Sequence, residues 1–475
     1  MATTSYDAIV IGAGQAGPSL AVRLAKSGMR TALIEREHLG GTCVNDGCIP
    51  TKTLVASARA AHVARRAADY GVQVGGPVTV DMHAVKARKD RVVDDAIAGL
   101  SEWLGGTERL TLIRGHARFS GAHAVEVDGR TLEAPQIFIN VGGRPTLPGW
   151  QGIADVPVLT NVSMMALDTL PEHLIIAGGS YIGLEFAQMF RRFGARVSVV
   201  EYGDRLIARE DRQVSREVQA ILEREDIVFH FSVKDAEVSA GDGGRGVGVR
   251  FEAGGAVHDL RGSHLLAAVG RRPNTDDLGL DKAGIATDAR GFIVVDEELR
   301  TSVPGVWALG DANGRGAFTH TSYNDHQIVA DNLLHGAERK VSDRLTAYAL
   351  FIDPPLGRVG MSEDELRKRG KPALVGVMPM TRVGRAKERG ETQGFMKVLV
   401  DAESERILGA SLLCIEGDEI VHSLLDVMAA DASYKVVARA VHIHPTVSEL
   451  IPTLLESLEP LGDDAEQPTA ELRAR

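Results

Sequence analysis

A strand–turn–helix–strand pattern of apolar and polar positions opens the chain. Residues 6–11 form a short apolar run, which predicts a buried parallel strand. The glycine-rich segment 12–17 follows, and an Ala- and Leu-rich helix is predicted from there to Lys26. Residues 30–34 predict a second strand, which ends at Glu35. This order is typical of a dinucleotide-binding βαβ unit.

The same pattern returns later in the chain. Residues 174–183 repeat the apolar strand and the glycine-rich segment, and a helix is predicted from there to Phe193. The next strand ends at Glu201, which follows Gly178 by 23 residues, the same spacing as in the first copy. Ser180 replaces the middle glycine of the motif. Two equally spaced copies indicate an internal repeat, a stronger signal than one glycine motif alone.

Each glycine-rich segment is predicted to hold a pyrophosphate at a helix N-terminus, because glycine lets the ligand approach the backbone. Glu35 and Glu201 are the predicted acceptors of hydrogen bonds from the adenosine ribose. The motif positions predicted to bind nucleotide are Gly12, Gly14, Gly17, Gly178, Ser180 and Gly183.

The remaining patterns predict further helices and strands. Residues 52–68 and 81–104 are Ala- and charge-rich and predict helices, whereas 109–142 and 227–270 predict short strands joined by turns. Beyond about residue 345, strands alternate with amphipathic helices, which indicates a third domain.

The composition is that of an acidic globular protein. Of 475 residues, 53 are Lys or Arg and 64 are Asp or Glu, giving a net charge of −11, which disfavours nucleic acid or an anionic membrane as partner. The 44% apolar content excludes wholesale disorder. No apolar run approaches the roughly 20 residues that span a bilayer, and the first apolar stretch lacks the basic lead-in of a secretory leader. We therefore expect a cytoplasmic protein.

Cys43 and Cys48 are the first candidates for chemistry. A helix is predicted to begin here, and one helical turn brings two such side chains within disulfide reach. Two ordinary buried thiols are the alternative interpretation. A zinc site is disfavoured because no second ligand pair lies nearby, and no resident metal is expected. Beside a nucleotide-binding fold, a close cysteine pair favours a redox disulfide.

Residues 40–52 resemble the redox-active segment of the class I pyridine nucleotide–disulfide oxidoreductases, a family that includes lipoamide dehydrogenase, glutathione reductase and mercuric reductase. The resemblance covers about residues 5–462, and its motifs follow in family order. They are residues 269–274, 307–311, 353–363 and 442–449.

This resemblance implies an α/β fold with two Rossmann-like dinucleotide-binding domains, for FAD and NAD, and a C-terminal α+β dimerisation domain. The implied divisions are a FAD domain in two segments, 1–150 and 271–340, an NAD(P) domain, 151–270, a dimerisation domain, 341–462, and a flexible tail, 463–475.

The resemblance also implies roles for matched residues. Cys48 would be the charge-transfer thiol that faces the flavin, and Cys43 the interchange thiol. His444 would be the acid/base residue, oriented by Glu449, and it would act on the disulfide of the other subunit of a homodimer. Further positions implied to contact the cofactors are Thr42, Lys52, Gly115, Gly142, Glu185, Gly270, Asp311 and Thr319, with Lys52 and Glu185 as a pair.

The implied reaction passes electrons between NADH and a disulfide or thiol-binding acceptor, through FAD and the Cys43–Cys48 disulfide. Glu201 favours NAD because a carboxylate repels a 2′-phosphate, and Arg205 keeps NADP possible. Residues 318–323 and 409–414 look more like the bacterial reductases between mercuric reductase and the reactive-chlorine-resistance reductase than like lipoamide dehydrogenase.

Several functions remain open at this point. A mercuric or other soft-metal reductase and an authentic dihydrolipoyl dehydrogenase are the main alternatives. A quinone reductase with incidental cysteines and a non-catalytic subunit of a larger complex are the others.

Overall fold

The computed structural model describes residues 3–462, so the predicted tail at 463–475 lies outside the described residues. The α-helices are Ala16–Lys26, Gly41–Asn45, Cys48–Arg65, Met82–Gly105, Asn161–Met164, Tyr181–Phe193, Arg212–Glu223, Leu280–Ala283, Thr319–His335, Glu363–Lys368, Gly384–Glu388, Gly417–Ala429, Lys435–Ala438 and Ile451–Glu456. Short 3₁₀ helices are Ala67–Tyr70, Ile153–Asp155, Asp242–Gly244, Gly310–Asn313, Val341–Asp343, Met380–Arg382 and Ser448–Leu450.

A five-stranded parallel sheet carries the first glycine-rich segment. Its central strands are buried on both faces, which explains why they are unbroken apolar runs in the sequence. The last strand to join comes from far beyond the second glycine-rich segment, so the chain returns to this sheet. The strand order is Val306–Ala308, Gln136–Ile139, Ala8–Ile11, Thr31–Glu35 and Leu110–Arg114.

A second five-stranded parallel sheet carries the other glycine-rich segment. As in the first sheet, the strand before the glycines is central and pairs with the strand that leads to the glutamate. The strand order is Val158–Leu159, His264–Ala267, His173–Ala177, Arg196–Val200 and Val228–His230.

The other sheets are mostly antiparallel. Two small sheets accompany the parallel ones, a two-stranded ribbon connects them, and a six-stranded sheet forms the centre of the C-terminal region. The two small sheets consist of Thr3–Ser5, Arg130–Glu133, Ala124–Val127 and Arg118–Gly121, and of Lys234–Ala240, Val247–Ala253 and Ala256–Gly262. The ribbon consists of Gly143–Pro145 and Arg271–Pro273. The strand order of the C-terminal sheet is Ala347–Leu350, Leu356–Gly360, Ile407–Leu413, Phe395–Asp401, Ala373–Pro379 and Glu459–Pro460.

One apolar core holds three parts of the chain together. Leu54 and Ala58, on helix Cys48–Arg65, pack in the same cluster as Phe186 of the second unit and Leu350 of the C-terminal sheet. This packing fixes the position of the cysteine-bearing helix relative to the second unit and to the C-terminal sheet. The predicted α/β class, with two nucleotide-binding units and an additional C-terminal sheet, is confirmed.

Candidate active site

One continuous cleft, with a volume of about 2080 Å³, reaches both glycine-rich segments and both N-terminal cysteines. Four predicted site residues do not line it: Gly17, Gly183, His444 and Glu449. The predicted residues on its walls are Gly12, Gly14, Glu35, Thr42, Cys43, Cys48, Lys52, Gly115, Gly142, Gly178, Ser180, Glu185, Glu201, Gly270, Asp311 and Thr319.

The first glycine turn, residues 12–17, is shaped by close backbone contacts. Gly12 has φ +101°, and a Cβ there would lie 2.3 Å from the carbonyl oxygen of Asn140. A Cβ on Gly17 would lie 2.0 Å from the carbonyl oxygen of Gly12, so Gly17 supports the turn from behind the cleft. The Ala13 N–H donates to Glu35 Oε2 at 2.7 Å. Glu35 therefore also braces the turn itself.

The second glycine turn, residues 178–183, repeats this construction. Gly178 has φ +109°, and a Cβ there would lie 2.6 Å from the carbonyl oxygen of Ala268. A Cβ on Gly183 would lie 2.1 Å from the carbonyl oxygen of Gly178. The Gly179 N–H donates to Glu201 Oε2 at 2.5 Å. The sequence repeat thus corresponds to a repeated set of contacts, in which a backbone N–H of the turn donates to a glutamate carboxylate and two glycines approach backbone carbonyls closely.

Cys43 and Cys48 lie on two consecutive helices, so the prediction of a single helical turn is wrong. Cys43 belongs to helix Gly41–Asn45, and Cys48 opens helix Cys48–Arg65. The helical conformation is interrupted at Gly47, which has φ −128° and ψ −117°. A Cβ at Gly47 would lie 2.8 Å from the carbonyl oxygen of Thr42. The two thiols meet across this break.

The two cysteines carry free thiols, and the pKa values of these thiols are shifted in opposite directions. A hydrogen bond from Cys43, a hydrogen bond with Thr319 and the charge of Lys52 together lower the pKa of Cys48 to about 6, against the effects of burial and of the Glu185 charge. The hydrogen bond between the two cysteines, together with burial, raises the pKa of Cys43 well above its usual range. Cys48 Sγ lies 3.1 Å from Thr319 Oγ1. Near neutral pH, Cys48 is the thiolate and Cys43 keeps its proton.

Lys52 lies one helical turn beyond Cys48 and binds a residue of the second unit. Its Nζ is 2.8 Å from Glu185 Oε2, and Glu185 is buried. Glu185 Oε1 also accepts a hydrogen bond from the Phe351 N–H at 3.1 Å, and Lys52 lies 4.4 Å from the centre of the Phe351 ring. The cation is thereby held beside the thiolate, where its charge stabilises the ionised sulfur.

Asp311 is contacted by a residue that the sequence analysis did not single out. Arg271 Nε lies 3.6 Å from Asp311 Oδ2, and an Arg271 N–H donates to Thr42 Oγ1 at 3.3 Å. Burial raises the pKa of Asp311, and the Arg271 charge opposes this shift. Gly115 lies at the other end of the first unit, where its N–H donates to the Glu35 carbonyl at 3.0 Å.

The residues present fit two dinucleotides. Gly142 and Gly270 hold equivalent positions, three residues after strands Gln136–Ile139 and His264–Ala267, each of which pairs with the strand that precedes a glycine turn; they have φ +64° and +139°. A Cβ on either would meet no protein atom within 4 Å, although both line the cleft, so a side chain there would occupy ligand space. Gly14 lines the first turn, and Ser180 lines the second at the same position.

His444 and Glu449 form a pair away from the cleft. His444 Nδ1 lies 2.8 Å from Glu449 Oε2; the histidine side chain is 81% exposed and the glutamate only 13%. The neighbouring apolar residues Val441 and Ile443 are 98% and 79% exposed. The structure therefore does not bring His444 to the thiols of its own chain.

The sequence analysis also missed a buried group beside the second turn. Glu210 binds the hydroxyls of Tyr181 and Tyr348 and lies against Arg358. No spacing in the sequence linked these residues, which are up to 177 positions apart. The only available signal was the position of Tyr181 directly after Ser180.

Residues 3–462 contain neither a membrane-spanning helix nor a cluster of metal-ligating side chains. Within that part of the chain, no helix combines the length and apolarity needed to cross a bilayer. Nor do three or more His, Cys, Asp or Glu side chains converge there as a metal site.

Comparison with family models gives two matches in sequence order. The pyridine nucleotide-disulphide oxidoreductase model matches residues 6–325, and the dimerisation domain of the same family matches residues 346–455. Together they cover most of the chain.

Individual relatives are similar over almost their full length. A probable pyridine nucleotide-disulfide oxidoreductase, RclA of Escherichia coli, is 36% identical, with 94% of this chain and 97% of that protein covered. Dihydrolipoyl dehydrogenase 3 of Haloarcula marismortui is 32% identical, covering 94% and 95%, and mercuric reductase of Streptomyces lividans is 33% identical, covering 95% of each.

Two solved structures superpose closely. The HOCl-induced flavoprotein disulfide reductase RclA from Escherichia coli has a TM-score of 0.86 at 36% identity, covering 95% of this chain and all of that one. The Cu(II) complex of the same reductase also has a TM-score of 0.86, at 35% identity, covering 95% and 99%.

Proposed function

Because the chain belongs to the pyridine nucleotide–disulfide oxidoreductase family, whose members use FAD and NAD(P)H, we propose that Cys43 and Cys48 are its redox pair and that its acceptor is a disulfide. The observation that carries this proposal is the ionised Cys48, which lies beside Cys43 and Thr319 in the same cleft as both glycine turns. A thiol with a pKa of about 6 is reactive at neutral pH. Free thiols used in this way suit a reducing cytoplasm.

The two units would hold different cofactors. We assign FAD to segments 1–150 and 271–340, through Gly12, Gly14 and Asp311, and NAD(H) to residues 151–270. When bound, the two cofactors supply hydride transfer and its delivery to the disulfide as an electron pair. In this assignment the two cofactors would lie on separate sheets, and the single cleft that reaches both glycine turns would connect them.

Turnover of a disulfide acceptor requires proton movement at Cys43. Its thiol keeps the proton because it donates to Cys48, so a base must remove that proton before the sulfur attacks one acceptor sulfur. The attack forms a mixed disulfide and expels a thiolate, which takes up the proton. The Cys48 thiolate then attacks the Cys43 sulfur, restores the Cys43–Cys48 bond and expels the second acceptor sulfur as a thiolate, which takes up a proton from solvent.

We assign this proton transfer to His444 of the partner subunit in a homodimer. Glu449 Oε2 at 2.8 Å fixes the tautomer of the imidazole by accepting from Nδ1, which leaves Nε2 free to exchange a proton. In support, His444 is exposed, lies off the cleft of its own chain and is flanked by exposed Val441 and Ile443, within the match to a dimerisation domain.

NADH is the proposed donor rather than NADPH. Glu201 lies at the end of strand Arg196–Val200, beside the second turn, and its carboxylate would repel a ribose 2′-phosphate. Arg205 lines the same cleft and would lessen that repulsion, so NADPH is expected to react more slowly rather than not at all.

A thiol-binding metal ion is the second candidate acceptor. The similar mercuric reductase of Streptomyces lividans and the Cu(II) complex of the Escherichia coli reductase favour it. In this chain the Cys48 thiolate, with Cys43 beside it, is a soft donor pair suited to such ions.

The test is turnover of purified holoenzyme with NADH and a panel of acceptors: lipoamide, glutathione disulfide, Hg(II), Cu(II) and a quinone. We expect fast reduction of at least one disulfide, abolished in Cys43→Ser. Disulfide reduction that survives this substitution would refute the thiol mechanism. Metal-ion turnover that requires both cysteines, without disulfide turnover, would favour the second candidate, and quinone turnover unaffected by Cys43→Ser would indicate a quinone reductase.

A further inference from the structure

We propose that Glu210 is a positioning residue, which fixes the nicotinamide end of the second nucleotide site by holding the rings of Tyr181 and Tyr348. The inference rests on the proposed function in one respect, the binding of NAD(H) by the second unit. It concerns a buried carboxylate, Glu210, that lies outside both glycine turns and contacts the second one through Tyr181.

The carboxylate of Glu210 is completely buried and shared by three groups. Its Oε1 accepts from the Tyr181 hydroxyl at 2.8 Å and from the Tyr348 hydroxyl at 2.6 Å. Its Oε2 lies 3.3 Å from Nε of Arg358, whose side chain is 3% exposed. Two hydroxyl hydrogen bonds to Oε1 and the neighbouring buried cation offset the lost water shell of this carboxylate, which fixes its position between the two tyrosines.

The two tyrosines belong to a wall of aromatic rings in the cleft. Tyr181 meets Tyr348 edge to face at 5.6 Å and Phe318 at 6.3 Å, and Phe318 stacks on Tyr348 at 5.2 Å. Phe318 directly precedes Thr319, whose hydroxyl lies 3.1 Å from Cys48 Sγ. The wall therefore extends from the second turn to the reactive thiol.

This position identifies the part of the dinucleotide that the wall would face. Tyr181 follows Ser180 on the helix that starts at the pyrophosphate site, while Glu201 occupies the adenosine side of the same turn. A dinucleotide with its adenosine at Glu201 has its nicotinamide on the opposite side of the pyrophosphate. That side is the one where Tyr181 approaches Phe318 and the thiols.

One short loop connects both ends of the site. Residues 202–210 run from Glu201 to Glu210, and the Ile207 N–H in this loop donates to the Gly179 carbonyl at 3.0 Å. The loop is thus attached to the second turn at a residue that lies between Glu201 and Glu210 in the sequence. A change at Glu210 acts on the nicotinamide side while the adenosine side keeps its own anchor.

The neighbouring Asp211 offers a matched control. It is also buried and also pairs with a buried cation of the C-terminal sheet, since its Oδ2 lies 2.7 Å from Lys397 Nζ. It accepts a hydrogen bond from the Glu363 N–H at 2.9 Å but contacts neither tyrosine. Asp211→Asn therefore perturbs a neighbouring ion pair between the second unit and the C-terminal sheet, and it leaves the contacts of the two tyrosines unchanged.

The experiment compares binding of NAD⁺ and ADP-ribose to the FAD-loaded protein by calorimetry. ADP-ribose keeps the adenosine and the pyrophosphate but lacks the nicotinamide. For Glu210→Gln we expect NAD⁺ affinity to fall about tenfold and ADP-ribose affinity to change less than about twofold, as expected for loss of one charged partner. Tyr348→Phe, which removes a single hydroxyl, should shift NAD⁺ affinity in the same direction by a smaller factor. Asp211→Asn should leave the ratio of the two affinities unchanged.

A kinetic comparison completes the test. Flavin reduction by NADH should slow in Glu210→Gln, whereas flavin reduction by dithiothreitol through Cys43 and Cys48 should keep its rate. Equal weakening of NAD⁺ and ADP-ribose, equal slowing from both electron donors, or an Asp211→Asn variant that behaves like Glu210→Gln would overturn the proposal. Neither calorimetric titration uses an acceptor, so failure of the proposed disulfide reduction would be seen separately in the acceptor panel.

Discussion

The two nucleotide-binding units share a backbone and differ in what docks on it. In the first unit, the Gly40 N–H donates to the Ala13 carbonyl at 2.8 Å and brings the cysteine helices against the glycine turn. In the second, the Ile207 N–H donates to the Gly179 carbonyl at 3.0 Å and brings the loop that ends at Glu210. The same position of the turn thus binds the segment with the redox cysteines in one unit and the loop with the buried carboxylate of Glu210 in the other.

The difference shows how a repeated fold acquires separate tasks. Each turn and its glutamate are predicted to recognise the same anion and ribose groups, so the repeat by itself predicts two similar ligands. The docked segment decides what happens at the far end of each ligand. A cofactor beside Cys48 is placed for electron exchange with sulfur, and one beside Tyr181 is placed against an aromatic wall.

The sharpest test replaces the third glycine of each unit. A Cβ at Gly17 or Gly183 would lie about 2 Å from a backbone carbonyl, so each substitution should displace one turn only. We expect Gly17→Ala to be isolated without flavin. Gly183→Ala should be yellow but reduced by NADH roughly 100-fold more slowly, as the overpacking cost implies. Absorption spectra and stopped-flow reduction measure both, and similar flavin loss in the two variants would refute separate cofactors.

The thiols next to the first unit should differ spectroscopically. In holoenzyme, Cys43→Ser keeps a hydroxyl that can donate to Cys48, so a long-wavelength thiolate–flavin band should appear as the pH rises through about 6. The lowered pKa fixes this sign, since the thiolate is the form present above it. Cys48→Ser should lack the band at every pH. A band in Cys48→Ser and none in Cys43→Ser would reverse the roles of the two thiols.

Substitution of His444 should affect the acceptor reaction alone. His444→Gln is expected to slow disulfide turnover roughly 100-fold, the range of a positioned acid/base group, while reduction of the flavin by NADH stays fast. Glu449→Gln should act in the same direction but less, because Glu449 orients the ring without transferring the proton. Sedimentation provides the control for dimer integrity; equal loss in both half-reactions would indicate a structural role.

The paired glutamates should separate cofactor choice from cofactor retention. Glu201→Ala removes the charge that opposes a 2′-phosphate, so the ratio of kcat/KM for NADH over NADPH should fall by about tenfold, equivalent to about 1.4 kcal/mol. Glu35→Ala in the first unit should weaken retention of flavin and leave that ratio unchanged. An unchanged ratio in Glu201→Ala would assign selectivity to Arg205 or another cation.

The smallest effect is expected where the two turns differ in sequence. Ser180 lines the cleft at the position of Gly14, with an extended backbone that needs no glycine. Ser180→Gly should therefore change the KM for NADH by less than about threefold, since a hydroxymethyl group is already accommodated there. A larger gain in affinity would mean that Ser180 narrows the second site.

Much of the fold followed from local patterns. The strands before both glycine turns, the helices that end at Lys26 and Phe193, and the long helix Met82–Gly105 lie close to their predicted positions. They were predictable because parallel strands buried on both faces are continuously apolar and glycine marks the turns. The break at Gly47 was missed, since the Thr42 carbonyl that makes a side chain impossible there becomes visible only in three dimensions.

The sequence by itself determined the repeat, the order of the motifs and the types of residue available for chemistry, because these depend on spacing along the chain. Only the tertiary structure decided which residues meet. It placed Thr319 against Cys48, set the expected Lys52–Glu185 pair beside that thiol, made Cys48 the acidic thiol, directed His444 away from its own cleft and buried Glu210 between two tyrosines. The contacts of Thr319 with Cys48, Glu185 with Lys52 and Glu210 with Tyr348 join segments more than a hundred residues apart. They depend on how whole sheets and helices pack, which no local periodicity encodes.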